Sequence, residues 1–146
     1  MYLNDITDGG YGEKLFEETF SNFFDISGYK YSVERDGILD TQVIIQTVSE
    51  RYVCIITTFP GNCSGMILHN IQNALSGHRN LAASFTEKLC ELFGYASLFI
   101  SLTDEIVIAE FKEKGYEIIH TNNNAHSGAD NYFMVKNIDL SEYEDD

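Results

Sequence analysis

Asp104-Glu105-Ile106-Val107-Ile108-Ala109-Glu110-Phe111-Lys112-Glu113-Lys114-Gly115-Tyr116-Glu117 decides how the chain is read. Thr103 or Asp104 supplies the side-chain oxygen that caps a helix start. Val107, Ile108 and Phe111 then fall on one face of a 3.6-residue period. Lys112 and Lys114 suit the negative end of the helix dipole, and Gly115 is the C′ residue that stops it. Tyr116 to His120 continues at once as a strand. Upstream lies a short apolar strand, Ala96 to Leu102. Before it, Leu81, Phe85, Leu89, Leu92 and Phe93 make a helical stripe with Asn80 as cap and Gly94 as stop. Downstream, Thr121 to Asp130 is a polar loop and Asn131 to Ile138 a last strand.

The N-terminal half adds one helix and several strands. Leu15, Phe16, Phe20, Phe23 and Phe24 are spaced by threes and fours, so Glu13 to Ile26 reads as an amphipathic helix ended by Gly28. Tyr29, Tyr31 and Val33 alternate with Lys30, Ser32 and Glu34 as a half-buried strand. Gln42 to Val48 and Tyr52 to Phe59, rich in Val, Ile, Thr and Tyr, are strands joined by a turn at Ser49-Glu50-Arg51. Gly65 to Leu75 is open to two readings: a short helix with Ile67, Ile71 and Leu75 on one face, or a strand from Met66 to Ile71. The order predicts an α+β domain with a mixed sheet.

Composition narrows the class. The 146 residues suit one domain, with 1–138 as its body and 139–146 as an acidic, frayed C-terminal tail. With 44% hydrophobic and 13% aromatic residues, the chain can bury a core and is not disordered. No apolar run approaches the roughly 20 residues of a membrane span. Met1-Tyr2-Leu3-Asn4-Asp5 lacks the basic and apolar regions of a signal peptide, so a cytoplasmic protein is expected. Asp and Glu number 23 against 9 Lys and Arg, a formal charge of −14, and the cations are spread evenly. Direct nucleic-acid or anionic-membrane binding is therefore not expected. The acidity serves solubility, or it imitates DNA or docks a basic partner. Cys54 and Cys90 read as core, and nothing around Cys63 in its Pro60-to-Gly65 turn depresses its pKa. His69, His78, His120 and His126 lack ligand spacing, so no metal site is expected.

One segment suits an anion. The loop Gly77-His78-Arg79-Asn80-Leu81-Ala82 opens a helix, where free N–H groups and the dipole favour a phosphate and Arg79 could fork onto a diphosphate. The same residues equally serve as an ordinary helix start. Around this loop the sequence resembles the GNAT superfamily of N-acetyltransferases, as a degenerate member of a type found in phages. The likeness covers Ser76 to Asp139 best. The family's Asn after its fifth strand falls on Asp104, its helical Tyr on Phe111, its Gly-Phe-Glu on Gly115-Tyr116-Glu117, and its pyrophosphate loop on Ser76 to Ala82. The segment from Asn122 to Gly128, followed by Tyr132-Phe133, resembles the end of phage-encoded members, with His126 as a turn residue.

The resemblance implies a mostly antiparallel mixed sheet flanked by helices, with Met66 to Ile71 as a splayed fourth strand. It implies acetyl-CoA lying between the fourth and fifth strands, its diphosphate on Gly77, His78, Arg79, Asn80, Leu81 and Ala82, near Asp104 and Phe111. A primary amine would attack the thioester directly, and the acid surface would favour a cationic acceptor, a small molecule or a protein. A homodimer is allowed but not demanded. The departures are specific. The loop lacks the family's second glycine and leading Arg or Gln, and Phe111 cannot protonate a thiolate. No carboxylate stands in the fourth strand, which leaves His69 as the nearest base, with an unperturbed pKa of about 6.5. The alternative is a catalytically inactive acetyltransferase-like acidic protein, an inhibitor or DNA mimic, that binds a basic partner.

Overall fold

The computed structural model describes residues 3–7, 9–36, 40–58, 65–123 and 130–139. A 3-10 turn, Leu3–Thr7, leads into α1 (Tyr11–Phe23), then β1 (Tyr29–Asp36), β2 (Asp40–Thr47), β3 (Tyr52–Thr58) and β4 (Gly65–His69). A second 3-10 turn, Ile71–Asn73, precedes α2 (Ser76–Phe93); β5 (Ser97–Leu102), α3 (Glu105–Glu113), β6 (Glu117–Asn123) and β7 (Asp130–Asn137) complete the order. The strands form one seven-stranded sheet ordered β1-β2-β3-β4-β5-β7-β6. Every pairing is antiparallel except β4 with β5, which α2 connects. This is the α+β class with the mostly antiparallel, helix-flanked sheet that the sequence predicts.

The period-2 pattern puts Val43, Ile45, Ile56, Met66, Leu68, Leu98, Ile100 and Met134 in one buried cluster with the apolar stripes of all three helices. Phe85 of α2 is its hub. Its ring centroid lies 5.6 Å from Phe16, 5.8 Å from Phe20, 6.0 Å from Phe23 and 5.3 Å from Phe24, all edge-on. The other face of the sheet, with Ile67, Phe99 and Phe133 half-buried, is only partly covered. Cys54 and Cys90 are buried as expected, and burial pushes the Cys90 thiol up to about 12, which makes it inert. No helix among the described residues is long and apolar enough to cross a membrane.

Local signals hold at α3. Asp104 Oδ1 accepts from Ile106 N at 2.9 Å. Gly115 has φ +97°, its N–H bonds Lys112 O, and the Tyr116 N–H bonds Phe111 O. That is a Schellman stop. Gly94 (φ +84°) ends α2 in the same left-handed region.

Several boundaries differ from expectation, and one open reading is resolved. Helix α1 ends at Phe23, before Ile26 and Gly28, because Phe24 turns extended and buries its ring while Asp25 binds Ser27 N and Oγ. The ambiguous segment is a strand, Gly65–His69, followed by a 3-10 turn. Helix α2 starts at Ser76, not after an Asn80 cap, with Leu75 as an N-cap that makes no side-chain bond. Strands β6 and β7 also reach into the predicted loop; residues 124–129, including His126, and 140–146 of the acidic tail lie outside the described residues, as does Cys63.

Gly12 shows how tightly the N-terminal turn docks. A Cβ there would sit 2.7 Å from Asp5 O and 3.0 Å from Asp5 C, both backbone atoms. Gly12→Ala should therefore cost about 1–3 kcal/mol in urea unfolding, because the backbone must shift to admit a methyl group.

Candidate functional site

Strands β4 and β5 pair from Gly65↔Ser97 to Leu68↔Ile100 and no further. Beyond that point β4 stays with β3 (Ile55↔His69) while β5 stays with β7 (Ser101↔Phe133, Leu102↔Tyr132). The two strands thus part at their C-terminal ends. Asn70, left-handed at φ +60°, turns the chain out of β4 into the 3-10 turn. Gln72 then laces the open end: Oε1 accepts from Thr103 N at 2.6 Å and Asp104 N at 2.8 Å, and Nε2 donates to Thr103 Oγ1 at 2.8 Å.

A cleft of about 600 Å³ opens at the parting, with His69, Asn70, Phe99, Ser101, His120 and Phe133 among its walls. Its volume is in the range of small-molecule sites. His69 Nε2 lies 2.7 Å from Thr57 Oγ1 on the neighbouring strand. Partial desolvation lowers the His69 pKa from its ordinary value, because it penalises the imidazolium. The shift favours the neutral imidazole, the form that can accept a proton. His120 reaches the cleft through a bulge. Ile118 pairs with Met134 and His120 with Phe133, leaving Ile119 as the extra residue. The bulge sets His120 opposite Phe133, ring centroids 5.7 Å apart, and leaves Ile119 exposed at the rim.

The predicted phosphate loop is built differently from expectation. Gly77 to Ala82 are helical, and Arg79 N already bonds Leu75 O. Only Ser76, Gly77 and His78 precede that first bond, so theirs are the backbone N–H groups left for an anion. Space is available there, since a Cβ on Gly77 would meet nothing within 4 Å. The Arg79 side chain is not free. Its Nε donates to Glu110 Oε2 at 2.8 Å, Nη2 to Glu110 Oε1 at 3.2 Å, and Nη1 to Ala74 O. Ser76 Oγ donates to the same carboxylate at 3.1 Å. The Arg79 bond holds the Glu110 carboxyl below the ordinary carboxylate range. His78 packs edge-on against Tyr29, 5.4 Å between centroids, and its Nδ1 is buried with no partner among the described residues. His78→Phe should stabilise the protein by about 1 kcal/mol in thermal or urea unfolding, since it removes an unpaired buried nitrogen and keeps the ring.

Other solved structures share this architecture. The ribosomal-protein-S18-alanine N-acetyltransferase of Escherichia coli superposes over 97% of this chain and 92% of its own, with TM-score 0.54 at 13% identity. The IAA acetyltransferase of Bacillus cereus covers 67% of this chain and 77% of its own (TM-score 0.52, 10% identity). A GNAT-family acetyltransferase of Streptococcus pneumoniae covers 68% and 67% (TM-score 0.51, 12% identity). The fold is that of the GNAT N-acetyltransferases. Neither a sequence-family model nor a curated protein sequence matches the chain.

Within this GNAT fold the predicted site residues separate. His69 lines the cleft. Gly77 and His78 stand in the first turn of α2, while Asn80 is exposed on the helix, Leu81 packs at the core edge and Ala82 is fully buried. Asp104 is spent on capping α3. Phe111 is fully buried against Tyr116, 5.1 Å between centroids, and is a core residue. Sequence reasoning missed His120, Gln72 and Glu110. His120 needs the β6 bulge to be seen. Glu110 reads locally as one more solvated charge on a helix.

Proposed function

We propose that the chain is an acetyl-CoA-dependent N-acetyltransferase acting on a primary amine of a small molecule or a protein. The observation that carries this reading is the parting of β4 and β5 beyond Leu68 and Ile100, with His69 at its edge, in a GNAT fold. Acetyl-CoA supplies the activated acyl thioester. The first-turn N–H groups of Ser76, Gly77 and His78 would hold its diphosphate, and the edge of β4 left without a β5 partner would hold its pantetheine arm. The amine arrives as an ammonium and must lose a proton before it attacks. In the tautomer whose Nε2–H donates to Thr57 Oγ1, Nδ1 of His69 is left to take that proton. The chain's charge of −14 draws a cationic acceptor towards the site. Thiol release from acetyl-CoA, measured with a panel of primary amines, tests the reading; turnover with none of them contradicts it.

A second reading is favoured by one observation: Glu110 already satisfies Arg79 and Ser76. An internal carboxylate in place of a phosphate suits a catalytically inactive acetyltransferase-like acidic protein that binds a basic partner. The two readings separate on Glu110→Gln. If a diphosphate and Glu110 compete for Arg79, the variant should bind CoA about tenfold more tightly by calorimetry, because Arg79 regains its charged donors. Unchanged, absent binding in both proteins favours the binding role.

A further inference from the structure

A second pocket, of about 490 Å³, is lined by Arg51, Tyr52, Asn70, Asn73 and Leu75. Asn70 also lines the cleft that holds His69, so the two spaces adjoin. Arg51 is exposed, and its guanidinium has no side-chain partner among the described residues. Its neighbour Glu50 instead reaches Lys30 at 3.4 Å. In a chain this acidic, an unspent cation in a concave site is an anion partner. Tyr52 and Leu75 are more than half exposed and supply an apolar wall, and the two Asn amides supply orienting groups. Among the described residues only Glu50 (φ +67°) and Asn70 (φ +60°) are non-glycine residues in the left-handed region. Asn70 lines the pocket, whereas Glu50 takes its conformation in the β2–β3 turn, closed by Thr47 N to Arg51 O and Glu50 N to Thr47 O.

We propose that this pocket is an acceptor subsite that takes a carboxylate carried on an aromatic or apolar body, with Arg51 as its partner. The preferred acceptor is then a zwitterionic, amino-acid-like amine. This rests on the acetyltransferase reading. The pocket lies at the start of β3, on the side of β4 away from β5. Leu75 is also the N-cap of α2, so the pocket abuts the first turn that would hold the diphosphate, and competition with CoA tells the two occupants apart. The acidic surface draws the ammonium end and Arg51 fixes the carboxylate, with Asn70 at the junction.

The test is an NMR titration of the ¹⁵N-labelled full chain with L-phenylalanine and with L-phenylalaninamide, following the amides of Asn70, Asn73 and Leu75. L-Phenylalanine should shift these amides and bind about tenfold more tightly than the amide, a difference that Arg51→Gln should abolish. Arg51 is an exposed turn residue, so the variant should keep its fold, which its own spectrum verifies; Tyr52→Ala should weaken both probes. Equal binding of the two probes, silent amides, or a preference that survives Arg51→Gln overturns the proposal. Displacement of phenylalanine by CoA would assign the pocket to the coenzyme and also overturns it. Failure of the acetyltransferase reading looks different: the Arg51-dependent preference persists, yet no thiol is released from acetyl-CoA, and only the acceptor role falls.

Discussion

If the chain is the acetyltransferase proposed, replacing His69 with glutamine is expected to slow acetyl transfer by about two to four orders of magnitude, the usual contribution of a positioned general base. CoA affinity should be little changed, because the pantetheine arm would meet the backbone of β4, which the substitution keeps. Thr57→Val, which removes only the 2.7 Å partner of Nε2, should cost less and alter the pH profile, since Thr57 acts through His69. Partial desolvation lowers the His69 pKa, which favours the neutral, proton-accepting form. The wild-type rate should rise with pH through that lowered pKa and level off above about 6.5, the value of an unperturbed histidine. Stability follows the same sign. The unfolded chain protonates His69 more readily than the folded one, so this residue's contribution is present above about pH 6.5 and is lost as pH falls towards the folded pKa. His69→Gln should remove that part of the stability profile. A variant with wild-type kcat and an unchanged pH profile would remove His69 from the mechanism.

Phe85→Ala carries the largest expected effect on folding, about 3–5 kcal/mol by denaturant unfolding. The residue is fully buried, and its ring meets four phenylalanines from α1 and the segment that follows it. Truncation would leave a cavity that four rigid rings cannot close by small adjustments. Phe16 and Phe20 also meet Tyr31 of β1, at 4.8 and 4.7 Å, so the loss should loosen the α1–α2 contact while β1 still holds α1. Phe85→Leu, which refills most of the volume, should recover much of it. A loss below about 1 kcal/mol for the alanine variant would mean that the aromatic hub is not the main link between α1 and α2.

What was legible in the sequence was local. Asp104 and Gly115 bracket α3 because a cap oxygen and a left-handed glycine act within a turn of themselves. The faces of α1 and α2 follow from apolar spacing, and their phenylalanines meet as a result. Gly65 to Leu75 is ambiguous in the sequence because a short apolar run suits either period; pairing with β3 on one side and β5 on the other makes Gly65–His69 a strand. The start of α2 was misplaced because Asn80 offers a good cap and Leu75 offers none, yet Leu75 precedes the first turn. Tertiary bonds override the cap preference there: Arg79 reaches Ala74 O and Glu110 only when the helix begins at Ser76. The site itself was the least legible part. Arg79 and Glu110 are 31 positions apart, His69 and Thr57 are 12 apart, and His120 depends on a one-residue bulge. None of these contacts leaves a periodic trace.

Acetyl-CoA binding is where the coenzyme reading stands or falls. The most direct measurement is a calorimetric titration of CoA and acetyl-CoA into the wild-type chain and into Glu110→Gln. The acetyltransferase account predicts micromolar binding to the wild type, about −8 kcal/mol, tightened by the substitution. No heat from either protein at millimolar ligand would contradict it, and would leave the GNAT likeness as a matter of shape alone.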